Sequence, residues 1–106
     1  MAEIIYNKLV RDKIPEVIEA DGKKCETEIM SEEEYLKALD TKLDEELAEY
    51  HRDQNIEELA DLLEVVYACA KARGYSLEEL EKERTKKVIK RGAFEKKIFL
   101  KKVCDT

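Results

Sequence analysis

Apolar residues recur at helical spacing over most of the chain, and capping residues punctuate the gaps between them. The clearest run is Leu36, Leu39, Leu43, Leu47 and Tyr50 behind Ser31 and Glu34, a capping-box pair, which predicts a helix over about 31–51. After the polar break YHRDQN, Asn55 with Glu58 restarts a helix whose stripe is Leu59, Leu62, Leu63, Val66, Cys69 and Ala70, stopped by Gly74. Ser76 with Glu79 opens a third, carrying Leu77, Leu80, Val88 and Ile89 and ending before Gly92. Upstream, Pro15 starts a short helix with Val17 and Ile18 that Gly22 ends. Two segments read differently. Cys25, Thr27 and Ile29 alternate with Glu26 and Glu28 in Cys25–Met30, and the tail Phe94–Val103 places Ile98 and Leu100, with Phe94, on one side. The expected fold is therefore mainly α: an antiparallel helical bundle, built as a helix hairpin with flanking helices, plus a small two-stranded β ribbon packed on it.

With 106 residues the chain has room for one domain, read as 1–106, and 43% charged residues with three Gly, one Pro and no Trp suit a small helical protein. No apolar run approaches a membrane span and the opening lacks a secretory signal, so a cytoplasmic protein is expected. Cys25, Cys69 and Cys104 are odd in number, far apart and without CxxC spacing, which fits reduced thiols. A net charge of −6 argues against stable nucleic-acid or anionic-membrane binding. The charge is also segregated: 31–64 is acidic, while 8–13 and 82–102 are basic. A phosphorylated small molecule could bind, given local cations to offset the repulsion.

The acidic stretch contains Glu45, Glu46, Glu49, Glu58 and Asp61, an EExxE followed by ExxD. Side chains three or four apart share a helix face, so Glu46 pairs with Glu49 and Glu58 with Asp61. If the hairpin turns near Asp53 and Gln54, Glu49 and Glu58 lie level, and so do Glu46 and Asp61. Helices packed about 8–10 Å apart then bring the four carboxylates to one centre, the outline of a divalent-metal site whose hard oxygens suit Mg²⁺. The competing reading is a solvated acidic face, since about a quarter of the residues are Asp or Glu. Register favours the metal: carboxylates bordering two apolar stripes repel one another unless a counter-ion intervenes.

These residues carry a resemblance. KLDEELAEYHRDQNIEELADLLEVVYA resembles the metal-binding helix pair of the MazG-like all-α nucleoside triphosphate pyrophosphohydrolases. YNKLVRDKIPEVI and KRGAFEKKIFL resemble a small single-domain branch of that superfamily, similar to phosphoribosyl-ATP pyrophosphohydrolase-like proteins. Eight residues separate Glu49 from Glu58, a shorter gap than in many members. The resemblance implies a Mg²⁺-dependent hydrolase, with Mn²⁺ a possible substitute, that cleaves between the α- and β-phosphates and releases a nucleoside monophosphate and pyrophosphate, possible substrates being noncanonical nucleotides. It implies that Glu46, Glu49, Glu58 and Asp61 hold the ion and that Glu45 orients or deprotonates the attacking water, placing Glu45 and Glu46 in the catalytic machinery. It also implies a homodimer or homotetramer.

Phosphate charge beyond the ion calls for basic donors. Lys8, Arg11 and Lys13 are candidates, as are Arg84, Lys87 and Arg91, which share a helix face. Arg84 stands where the stripe calls for an apolar residue, so its guanidinium is expected to reach a buried or ligand anion. His51, the lone histidine, is read as solvated, and Tyr6, Tyr50 and Tyr67 as core more than base-stacking residues. The rival functions are an acidic helical interaction module without catalysis and a nucleotide sensor that keeps the metal.

Overall fold

The computed structural model describes residues 2–105. It contains helices α1 (Ile14–Ala20), α2 (Glu32–Asp53), α3 (Ile56–Ala72) and α4 (Leu77–Arg91). Local chemistry sets their limits. Ser31 Oγ accepts from the Glu34 amide while the Glu34 carboxylate accepts from the Ser31 amide, both at 3.2 Å, and Ser76 with Glu79 repeats the arrangement at 3.0 and 3.1 Å. Pro15 lies in the first turn of α1, where its missing N–H is harmless.

The hairpin between α2 and α3 is tight. Gln54 takes a left-handed backbone (φ 50°) and donates its amide to Tyr50 O at 2.8 Å. Asn55 follows with extended backbone, and its Oδ1 accepts from the Glu58 amide at 2.9 Å, so α3 starts at once. The second reversal uses Gly74 at φ 89°, a conformation that glycine adopts without a Cβ clash.

Packing is dominated by α2 on α3. Among the described residues α4 touches α3 alone, and α1 packs on no other helix. Among the described residues Leu39 (3% exposed) and Val65 (9%) are the buried apolar core, joined by one charged residue, Glu46 (6%). Leu59, Leu63, Leu47 and Ile89, all expected in stripes, stay exposed. The radius of gyration is 18.9 Å, against about 13 Å for a compact chain of this length. No helix is long and apolar enough to cross a membrane among the described residues.

The expected β ribbon is corrected: no strand occurs among the described residues, and the fold is four helices. Alternation alone cannot make a strand, because its amides and carbonyls need a paired neighbour. No backbone hydrogen bond links 25–30 to 94–103 among the described residues. The tail is also bent: Lys97 has φ 58° and donates to Phe94 O at 3.5 Å, a turn in the middle of the expected strand. Phe94 (99%) and Ile29 (98%) are solvated instead of packed on the helices.

Candidate metal centre

Because the turn falls at Gln54 and Asn55, the two acidic motifs meet across the hairpin. Carboxylate oxygens of Glu46, Glu49, Glu58 and Asp61 all lie within 4.8 Å of one another. Glu46 is buried and the other three are half-buried. Four like charges at this range repel strongly, and two of their oxygens, Glu46 Oε2 and Glu58 Oε2, are buried without a hydrogen-bond partner. An ion with hard, positive character satisfies both deficits at once, so the donor set fits Mg²⁺ or Mn²⁺.

Electrostatics separate the neighbours Glu45 and Glu46. Burial pushes the Glu46 carboxyl above its ordinary value of 4.5; Glu49 adds to the effect and Lys42 opposes it. Burial acts in the same sense on Glu45, but Lys42 and Lys8 outweigh it and hold that carboxyl below 4.5. Lys42 Nζ lies 3.2 Å from both Glu45 Oε1 and Glu46 Oε1. Burial would lower the Lys42 pKa, yet the two carboxylates raise it, so the ammonium stays charged. The sequence reading passed over Lys42, although its spacing of three and four from Glu45 and Glu46 is the signal for such pairs.

The expected phosphate donors divide. Lys8 Nζ reaches Glu45 at 3.4 Å and Arg11 reaches Asp61 at 2.7 Å, so both stand at the rim of the centre. Lys13 is exposed at the start of α1 and makes no ion pair among the described residues. Arg84, Lys87 and Arg91 lie on α4 and form no ion pair with the five acidic residues. Arg84 does not reach a buried anion: its guanidinium is solvated and grips Glu81 one turn back, with Nε at 2.9 Å from Oε2. An exposed arginine among glutamates satisfies itself locally, because a helical neighbour is always within reach. His51 is exposed, and Tyr50 and Tyr67 are half-buried, while Tyr6 is exposed.

No family model and no solved structure matches the chain. Over 42 residues it is 55% identical to an uncharacterized protein of Mycolicibacterium smegmatis, a match covering 40% of this chain. The aligned region is 43% of that protein, less than half its length.

Proposed function

We propose that the chain is a Mg²⁺-dependent nucleoside triphosphate pyrophosphohydrolase, cleaving the bond between α- and β-phosphates and acting as a homodimer or homotetramer. The observation that carries this reading is the meeting of four carboxylates within 4.8 Å, two of them with a buried oxygen lacking a partner. Lys8 and Arg11 at the rim suit a ligand that brings negative charge. The reaction class comes from the likeness of the EExxE and ExxD motifs, and of both terminal blocks, to MazG-like enzymes. Exposed Leu59, Leu63 and Leu47, beside a core of two buried apolar residues among those described, support association of copies.

Glu46, Glu49, Glu58 and Asp61 would hold the cation. When bound, it supplies charge neutralisation at the phosphates and a lower pKa for water. Hydrolysis forms one bond from water oxygen to phosphorus and breaks one phosphoanhydride bond, and pyrophosphate leaves. Glu45, kept ionised by Lys42 and Lys8, accepts a hydrogen bond from the attacking water and fixes its direction. Its depressed pKa makes it a weak final proton acceptor, so the released proton passes on to solvent. Lys42 positions Glu45 and Glu46 together on α2.

The test is a panel of ordinary and modified nucleoside triphosphates incubated with the protein and Mg²⁺, followed by pyrophosphate release. Release that stops with Glu49→Gln is expected. Folded protein that releases none from any member overturns the assignment, and tight binding without turnover points to a sensor instead.

A further inference from the structure

Residues 2–13 form no helix or strand, yet one of their side chains reaches the carboxylate centre and another reaches Glu45 beside it. Arg11 donates to Asp61 across 50 positions of sequence, and Lys8 to Glu45 across 37. Asn7 bends the segment with φ 45°, a left-handed conformation that Asn tolerates better than most residues. Lys8 leaves that bend 5.7 Å from the centroid of the Tyr6 ring. Elsewhere Leu9 is half-buried beside Met30 and Ala38, Ile4, Ile5 and Tyr6 are exposed, and no other ion pair attaches the segment among the described residues.

Asp61 thus has two claims on it. It belongs to the four-carboxylate centre, and it is the partner of Arg11 at 2.7 Å. A dication held by Asp61 would stand close to the guanidinium, and the two positive groups would share and weaken one carboxylate. Lys42 has no freedom to respond, because it is fixed on α2 with only 15% of its side chain exposed. The Arg11 side chain, 58% exposed on an irregular segment, has open solvent to swing into.

We infer that residues 2–13 are a basic strap and that Arg11 and a divalent cation bind Asp61 in competition. Loading the centre lifts Arg11 from Asp61 and turns its guanidinium toward the phosphate oxygens of an anionic ligand, for which its planar fork is suited. Arg11 is therefore a binding residue with two successive partners, and cation binding comes before the strap opens. The inference rests on the metal-centre reading above.

Amide hydrogen exchange over residues 4–12 of the full chain, with and without Mg²⁺ at matched ionic strength, reads the strap directly. Calorimetric Mg²⁺ titration of the parent, Arg11→Gln and Lys8→Gln reads the competition. Mg²⁺ is expected to speed exchange of the parent strap at least about threefold. Arg11→Gln is expected to exchange fast without Mg²⁺ and to bind the ion about fivefold more tightly, the upper end of what an exposed ion pair contributes. Lys8→Gln should change affinity less, because Glu45 keeps Lys42. Should Arg11→Gln fail to fold, the parent's exchange and Lys8→Gln decide the matter. Mg²⁺ binding with unchanged or slower strap exchange overturns the strap and leaves the centre standing. Absence of Mg²⁺ binding in the parent, indistinguishable from Glu49→Gln, overturns both.

Discussion

Replacing Glu46 by Gln should make the protein more stable without divalent ions and deaf to them. Three carboxylates lie within 4.8 Å of the Glu46 head group, and at an effective dielectric of about 20 each repels it by about 3.5 kcal/mol. Lys42 at 3.2 Å returns about 5 kcal/mol on the same scale, half of what three such neighbours take away. Because Glu49, Glu58 and Asp61 are only half-buried, solvent screens most of this balance. A net gain of about 1 kcal/mol is a fair expectation, or ~4–8 °C in melting temperature for a chain of this size. Gln is nearly isosteric with Glu, so no cavity offsets the gain, and Lys42 retains Glu45.

Mg²⁺ should act in the opposite sense. At ten times its Kd it adds about 1.4 kcal/mol to the parent, or roughly 6–11 °C, and nothing to the variant. The assay is thermal unfolding followed by circular dichroism at fixed protein concentration, with NaCl matching the ionic strength of the Mg²⁺ samples. A variant that melts below the parent without Mg²⁺, or that keeps the Mg²⁺ response, refutes the account of Glu46 as a strained ligand.

Three further outcomes follow from the same geometry. The raised Glu46 pKa means that the folded protein holds that proton more tightly than the unfolded chain, so its contribution is most favourable below pH 4.5 and falls as pH climbs to the raised value; the advantage of Glu46→Gln in melting temperature should therefore widen with pH across that window, and a constant difference would count against the shift. Lys42→Met should lower stability by about 1–3 kcal/mol in urea unfolding, because it leaves Glu45 and buried Glu46 without their shared cation; no change would mean that solvent already serves both carboxylates. Gln54→Gly should stabilise the hairpin by about 0.5–1 kcal/mol in the same measurement, since Gln54 holds a left-handed backbone that glycine adopts freely, and a loss would show that the Gln side chain contributes more than its strain.

The helices were legible because their signals are local. Ser31 with Glu34 and Ser76 with Glu79 make their capping boxes within one turn, and Asn55 caps α3 from the adjacent residue, so no distant contact is needed to place them. The ribbon failed for the opposite reason. Cys25–Met30 has the right period for a strand, but period identifies a face and never a partner, and pairing is a property of two segments. Burial was legible only in part. Leu39 lies inside as its stripe requires, whereas Leu59 and Leu63 occupy equally good stripe positions and remain exposed, because α4 covers little of α3 and α1 covers none of it.

The centre shows the same division at the level of side chains. Glu46, Glu49, Glu58 and Asp61 could be read from spacing alone, since helical period and the position of one turn fix where all four point. Their cations could be read that way only in part. Lys42 obeys the helical rule and was there to be found, but Arg11 and Lys8 reach Asp61 and Glu45 through an irregular segment whose course no periodicity encodes. Arg84 marks the limit of stripe logic: a charged residue at an apolar position signals a buried anion only when something packs over that face, and on α4 nothing among the described residues shields it, so Glu81 and water suffice. Where the helices are fixed by their own sequence and the covering surface is not, the acidic cage is the part of the molecule that sequence determines, and the charges that balance it depend on the path of the chain around it.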